Sequence, residues 1–168
     1  MVIRFLTADD AEDWWRLRLE ALRDDPKAFS SSVEEHQKLA IDEVRRRLNG
    51  NADSFVVGAF EERRLVGIAG FHHESGLKSR HKGRIWGVYL TPSYRAQGVG
   101  RKMLEALLQR AATVNGLEQV QLSVTATQTA ALALYRSLGF ESFGCEPGAL
   151  KVGDEFIDEE YMVLRVRG

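Results

Sequence analysis

Apolar and polar positions along this chain follow two periods, which predict strands alternating with helices. Short apolar runs bounded by polar residues predict strands, and the alternation of Val120, Leu122 and Val124 with polar neighbours predicts another. The predicted strands cover residues 2–6, 54–60, 64–71, 85–90, 119–125, about 140–146 and about 156–166. The polar, basic stretch 72–84 is expected to be a loop.

Between these strands, apolar residues recur every three or four positions, which is typical of amphipathic helices. The first predicted helix follows Thr7, which forms a capping-box pattern with Asp10, and ends near Asp24. Arg18 lies on the apolar face of this helix, four residues after Trp14. The other predicted helices run from about Ser31 or Ser32 to just before Asn49, from Val99 towards Gly116, and over about 128–138.

The order of these elements predicts a mixed sheet. A strand–helix–strand crossover between residues 85 and 125 predicts one parallel pair, and the hairpins on either side predict antiparallel pairs. No repeat or long linker divides the chain. We therefore expect an α/β (α+β mixed) fold with helices on both faces of the sheet, in one domain over residues 1–168.

Composition narrows the possible classes of function. The 168 residues of 18.9 kDa suit one domain, and a net charge of -1 argues against a nucleic-acid partner. No apolar run approaches the roughly 18 residues of a membrane span, and the acidic N-terminal segment is unlike a secretory signal. Cys145, the one cysteine, excludes an internal disulfide and a thiolate metal cage. We expect a cytoplasmic, water-soluble protein without a metal or a membrane partner.

A glycine-containing turn follows the buried strand 85–90 and leads directly into a helix. In Arg95-Ala96-Gln97-Gly98-Val99-Gly100-Arg101, the glycines allow close approach of a ligand to the backbone. The free amides of the helix start suit a pyrophosphate, and Arg95 and Arg101 add positive charge. The pattern lacks the third glycine of a dinucleotide fingerprint and the Gly-Lys-Ser/Thr of a P-loop. By itself it is also compatible with a plain strand–turn–helix connection.

Two motifs together resemble the GNAT N-acetyltransferase superfamily. Residues 95–100 resemble its Arg/Gln-x-x-Gly-x-Gly/Ala signature, and Ala131 to Phe140 resemble its Ala-x-x-Leu-Tyr-x-x-x-Gly-Phe segment. The element order from Val2 to Val166 also fits, so the resemblance covers nearly the whole chain. It implies a mostly antiparallel sheet of about seven strands whose central parallel pair splays apart.

The resemblance also implies that acetyl-CoA binds as a cosubstrate in this gap. Backbone groups of Val88 and Leu90 would hold the pantetheine and acetyl ends, and amides of residues 97–101 would hold the pyrophosphate. Gln128, where many members have Asn, and Ala131 would lie beside the pantetheine. The implied cofactor-binding residues are Val88, Leu90, Arg95, Ala96, Gln97, Gly98, Val99, Gly100, Arg101, Gln128 and Ala131.

The implied reaction is direct attack of an amine on the acetyl thioester. Tyr135 is the candidate acid for the leaving thiolate, because a phenol with a pKa near ~10 stays protonated at neutral pH and is close to a thiol's ~8.5. A backbone amide near Leu90 is the candidate oxyanion donor. Tyr135 could instead be only a packed tyrosine. The general base stays open among His72, His73, Glu74, Glu34 and Glu35.

The acceptor site is less sharply predicted. The resemblance assigns it to the first two helices and the last hairpin, which carry Arg18, Phe29, Glu34 and the acidic residues Asp154, Glu155, Asp158, Glu159 and Glu160. An acidic rim would attract a cationic amine, although a solvated hairpin would show the same residues. Arg18 could bind a substrate carboxylate or pair with an internal acid. We expect a small-molecule or peptide amine acceptor and a monomer or homodimer; the alternative is a non-catalytic acyl-CoA-binding module.

Overall fold

Seven strands form one sheet in the computed structural model, which describes residues 1–166. The spatial order is β1-β2-β3-β4-β5-β7-β6. The strands are β1 (Val2–Phe5), β2 (Ser54–Glu61), β3 (Arg64–His73), β4 (Lys82–Leu90), β5 (Gln119–Thr125), β6 (Glu141–Val152) and β7 (Glu155–Arg165). The α-helices are α1 (Ala11–Asp24), α2 (Val33–Gln37), α3 (Ile41–Leu48), α4 (Val99–Ala111) and α5 (Thr129–Ser137).

The parallel pair β4–β5 divides an otherwise antiparallel sheet. Their ladder holds for three residue pairs, Lys82–Gln119, Gly83–Val120 and Arg84–Gln121, and then ends. Beyond this point β4 stays paired with β3, and β5 stays paired with β7 as far as Thr125. The mixed, mostly antiparallel sheet is confirmed, and its two halves part at the centre.

A β-bulge bends β4 on the other side of this opening. Trp86 pairs with Gly70 and Tyr89 with Ile68, so the two residues between them on β4 face one residue on β3. The first of the two, Gly87, has a φ of +63°, which a side chain at this position would disfavour. The bulge increases the local twist and turns the end of β4 away from β5.

Two hydrophobic layers cover the two faces of the sheet, as expected for helices on both sides. Alternate residues of β2 separate them: Val56 packs with residues of α1 and α3, whereas Val57 packs with residues of α4. Among residues 1–166, no helix is long and apolar enough to cross a membrane.

Several predicted elements differ from the structure: β6 continues to Val152 instead of about residue 146, α4 ends at Ala111 before Gly116, and two further differences have identifiable causes. The predicted second helix is broken into α2 and α3, because α1 binds the chain at the break: the indole nitrogen of Trp15 donates to the Leu39 carbonyl at 3.2 Å. The predicted loop 72–84 is shorter, since β3 continues to His73 and β4 begins at Lys82. Cross-strand pairing extends the ladder through these polar residues.

Candidate functional site

A cleft of about 470 Å³ opens where β4 and β5 part, between the first turns of α4 and α5. It brings together the predicted acid Tyr135, the predicted acceptor residue Phe29 and most of the residues that the sequence predicts for the cofactor: Val88, Leu90, Arg95, Ala96, Gly98, Gly100, Arg101, Gln128 and Ala131. A narrow arm of about 80 Å³ adjoins it between the strands, lined by Gly87, Val88 and Ser123 among others. The sequence did not indicate that Asp25, Tyr89 and Met103 also line the cleft.

The turn before α4 holds its backbone in a conformation suited to anions. Ala96 has a φ of +59° and Gly98 a φ of +81°, so two residues close together are left-handed. The amide of Lys102 bonds to the Gly98 carbonyl at 3.1 Å, and the amides of the preceding residues form the start of a helix, where intrahelical partners are lacking. Such a turn followed by a helix start is a concave set of N–H donors.

Two of the predicted residues contribute to this turn without lining the cleft. The side-chain amide of Gln97 donates to the Ser93 carbonyl at 3.0 Å, which braces the turn. Val99 is buried in the hydrophobic layer beneath α4. The side chains of Gln97 and Val99 therefore do not reach the cleft, and only their backbone amides are available to a ligand at this turn.

The two predicted arginines lie at the cleft but already have protein partners. Arg95 donates from Nε to the Leu90 carbonyl at 2.7 Å and forms an ion pair with Asp24 at 3.1 Å. Arg101 pairs with Glu105 at 3.3 Å and donates to the Ser137 hydroxyl. A ligand that used the Leu90 carbonyl would have to compete with Arg95.

Gln128 closes one side of the cleft through a contact far along the chain. Its side-chain amide donates to Oδ2 of Asp25 at 2.6 Å, and both residues line the cleft. This hydrogen bond joins the start of α5 to the segment that follows α1.

Tyr135 lies at the junction of the cleft and its narrow arm. Its ring packs edge-on against Phe140 at 5.9 Å between centroids. Burial raises its pKa above the ordinary value, so the phenol stays protonated at neutral pH. The structure thus gives this hydroxyl the protonation state of a donor.

On the face of the sheet covered by α1 and α3 lie two further cavities, which the sequence did not indicate. One of about 300 Å³ is lined by Arg18, Glu35 and His36, and one of about 430 Å³ by Val44, Leu48, His72 and Arg84. Trp14, Arg47 and Trp86 line both. Trp86 also lines the narrow arm between the strands, so its side of β4 connects these cavities to that arm. Arg18, a charged residue on the apolar face of its helix, was the feature of the sequence that pointed to a site on this face of the sheet.

The candidate bases separate into two groups. His73 bonds to the Asp53 carboxylate at 2.8 Å and to the Arg80 carbonyl. Burial lowers the pKa of His73, but these hydrogen bonds and the nearby carboxylates outweigh burial, so its pKa is raised overall. Glu74 pairs with Arg84 at 3.4 Å. His72 and Glu35 line the cavities on the α1 face.

The predicted acidic rim does not line the described cavities. Glu155 pairs with Lys27 at 2.5 Å, Asp158 accepts from the Gly148 amide at 2.8 Å, and Glu160 pairs with Arg136 at 3.1 Å. Glu34 is exposed on the first turn of α2 and also lies outside them. Glu155 and Glu160 thus pair with residues outside the hairpin and Asp158 pairs within it, and the acidic acceptor site stays a prediction.

Residues 12–140 match a family described as the acetyltransferase (GNAT) family. The spermine/spermidine N(1)-acetyltransferase of Bacillus subtilis is 33% identical over 92 residues, 52% of this chain and 60% of that protein. The N-alpha-acetyltransferase RimI of Mycobacterium tuberculosis is 38% identical over 88 residues, 52% of each chain. The chain thus spans between half and two thirds of the length of these two relatives.

The fold also matches solved structures over their full length. A structure of yncA from Salmonella typhimurium, determined with its cofactor acetyl-CoA, superposes with a TM-score of 0.84 and 21% sequence identity. The match covers 100% of this chain and 95% of that one. At this identity the likeness establishes the shared fold.

Proposed function

Because the chain belongs to the GNAT acetyltransferase family, we propose that it is an acetyl-CoA-dependent N-acetyltransferase that transfers an acetyl group directly to a primary amine. The observation that carries this proposal is the parting of β4 and β5 after Arg84 beside the buried hydroxyl group of Tyr135. Such a gap accommodates an extended ligand between two strands and presents a proton donor at its inner end.

The residues of the cleft suit two parts of acetyl-CoA, the pantetheine chain and the pyrophosphate. Backbone groups of Val88 and Leu90 on the freed edge of β4 suit the amides of a pantetheine chain, because an unpaired strand edge needs hydrogen-bond partners. The amides between Gln97 and Arg101 suit the pyrophosphate. Ala131 and Leu134 give α5 a small, apolar surface beside the chain.

When bound, acetyl-CoA supplies a thioester whose carbonyl carbon the amine attacks, and the products are the N-acetyl amine and the free CoA thiol. The Tyr135 hydroxyl would donate its hydrogen bond to the departing sulfur. Its raised pKa keeps the phenol a hydrogen-bond donor throughout the pH range in which amines become neutral, while it makes full proton transfer to a thiolate of pKa ~8.5 less favourable than from an ordinary tyrosine. A backbone amide near Leu90 would face the oxygen that becomes negative.

The amine must also lose one proton for each acetyl group transferred. His72 and Glu35 are the candidate bases that line the cavities next to Trp86, and the Glu35 carboxylate also accepts from the Ser32 amide; His73 and Glu74 line neither cavity and pair with Asp53 and Arg84. A base acting through these cavities would approach the thioester from the α1 face.

We expect Tyr135→Phe to lower kcat by roughly 10²-fold, the lower range of acid–base catalysis, with little change in KM for acetyl-CoA. The assay follows thiol release from acetyl-CoA with a panel of primary amines between pH 6 and 9. Tyr161→Phe, a tyrosine on β7 outside the cleft, is the matched control. Unchanged turnover in Tyr135→Phe would remove it as the acid.

The panel tests the proposed activity itself. If the protein bound CoA but released no thiol with any amine of the panel, the proposed enzymatic activity would be wrong. The protein would then be an acyl-CoA-binding module. The relatives named above acetylate a polyamine or carry the name of an N-alpha-acetyltransferase, so the panel includes polyamines, amino acids and peptides with a free N-terminus.

A further inference from the structure

Arg18 on α1 is a buried arginine that forms no ion pair with any of residues 1–166. Its side chain is 9% exposed, and its Nη1 atom is buried with no hydrogen-bond partner among residues 1–166. It stacks on the ring of Phe29 at 4.7 Å. Burial lowers its pKa to about 10, so the guanidinium is still cationic at neutral pH. A buried cation without an anion is costly for the folded state, which suggests that a bound anion completes it.

One helical turn earlier, Trp14 provides a second donor without a partner. Its indole Nε1 is buried and unpartnered within the described residues, and Trp14 and Arg18 line the same cavity of about 300 Å³. Buried N–H groups are almost always hydrogen-bonded in folded proteins. Two unpartnered N–H donors on residues that line one cavity indicate an external acceptor group with more than one oxygen.

Among the ionisable groups around these cavities, Arg18 is the arginine that forms no ion pair within residues 1–166. Arg47 and Arg84 are the other arginines, and each also contacts a glutamate. Burial lowers the pKa of His36, which favours its neutral form. The remaining ionisable residues that line these cavities are His72 and Glu35. The Glu35 carboxylate accepts a hydrogen bond from the Ser32 amide at 3.2 Å. The unpaired, buried cation of Arg18 therefore favours an anionic group over a polyamine next to it.

The cation is close to the place of reaction. A Cβ atom at Gly87 would lie 3.3 Å from Nη1 of Arg18, and Gly87 lines the narrow arm that Tyr135 also lines. A small molecule held by Arg18 therefore lies within a few bond lengths of the parted strands. The adjoining cavity of about 430 Å³ has apolar walls, including Val44, Leu48 and Val56.

We propose that Arg18, assisted by Trp14, binds the carboxylate of the acceptor, and that the acceptor is a small amino acid-like amine whose apolar side chain occupies the adjoining cavity. The inference rests on the proposed function, and it names the substrate class of the same site. Free amino acids supply this chemistry directly. Amino acid amides and polyamines lack the carboxylate and serve as the contrasting probes.

The kinetic test compares L-leucine, L-methionine and L-phenylalanine with their amides and with spermidine. We expect acetylation of the amino acids, and in Arg18→Met a loss of roughly 10- to 100-fold in kcat/KM for them, the usual range for a hydrogen bond to a charged group. The KM for acetyl-CoA should not change. Arg18→Lys should retain part of the activity. Arg23→Met, on the exposed side of the same helix, is the matched control.

A binding test without acetyl-CoA gives a second readout. Titration of the protein with L-leucine should change its tryptophan fluorescence, because Trp14 and Trp86 line the cavities, and Arg18→Met should abolish this change. The thermal midpoint of Arg18→Met should rise or stay constant, since the substitution removes an unpaired buried charge. A purely structural role would instead lower the midpoint and weaken all substrates equally.

Two results would overturn the inference while leaving the acetyltransferase intact. One is acetylation of the amides or of spermidine as efficiently as the amino acids, and the other is unchanged selectivity in Arg18→Met. Absence of thiol release with every amine, together with intact L-leucine binding, would instead count against the proposed function alone.

Discussion

Buried polar groups in this protein differ in how they are satisfied. Asp10 is buried next to Arg4, which donates to both of its carboxylate oxygens at 2.8 and 2.9 Å, and this hydrogen bonding lowers the pKa of Asp10. Arg18 and Trp14 have no such partners among residues 1–166. Paired groups stabilise the fold, whereas unpaired donors at a cavity are available to a ligand.

Gly98 allows a prediction with a matched control in the same chain. Gly98 and Gly116 both have a φ of +81° with free space where a Cβ atom would lie, but only Gly98 lies in the cleft. Gly98→Ala and Gly116→Ala should each destabilise the fold by about 1 kcal/mol, measured by urea unfolding. Only Gly98→Ala should raise the KM for acetyl-CoA. An equal rise in both variants would count against the turn as the pyrophosphate site.

Among the elements, α2 depends on tertiary contacts because its five residues are too few for a stable isolated helix. A capping box between Ser32 and Glu35 begins it, and the buried ring of His36 bonds to the Trp15 carbonyl at 2.9 Å. Burial lowers the pKa of His36, and the nearby charge of Arg18 acts in the same direction. The short helix is thus held against α1 by a neutral imidazole.

This contact predicts a loss of stability in acid. A histidine whose pKa is lower in the folded state contributes stability above its unfolded pKa of about 6.5, and this contribution is lost as the pH falls. We expect the urea midpoint of the wild type to fall between pH 7.5 and 5 by more than that of His36→Gln. His73 has a raised pKa and acts in the opposite direction, so the difference between the two proteins is the quantity to measure. Parallel pH profiles would contradict the assignment.

At the scale of the whole molecule, the two halves of the sheet are joined where β4 pairs with β5. Because these strands part after Arg84, that ladder has three residue pairs. One half carries β1 to β4 and the other carries β5 to β7. A ligand that bridges the freed edges would supply hydrogen bonds that the sheet lacks there. Cofactor binding should therefore stabilise the molecule as a unit.

Hydrogen exchange tests this directly. Addition of CoA should slow exchange most strongly at amides on the facing edges of β4 after Arg84 and of β5 after Gln121, and less in the β6–β7 hairpin. At about 100 times its Kd, CoA should add ~2.7 kcal/mol of stability and raise Tm by roughly 5–10 °C. Uniform protection across the whole chain, or none at the facing edges, would argue against binding between the strands.

The sequence predicted the elements that depend on local pattern. The strand at 119–125, the turn before α4 and the α5 segment from Gln128 to Leu138 lie within a residue or two of their observed places. Their periodicity, glycines and capping residues specify local conformation. The break between α2 and α3 was missed because contacts to Trp15, distant in sequence, decide it.

The candidate site also has one part that follows from local sequence and another part that depends on tertiary contacts. The amino-acid sequence alone determined the family and the order of the elements, and it predicted many of the residues between Val88 and Tyr135 that line the cleft, because these follow from local motifs. Only the tertiary structure decided that the hairpin acids bind elsewhere and that Arg18 lies buried without an anion next to Gly87. Burial and pairing of a charge depend on neighbours from several elements, and no short stretch of sequence encodes them.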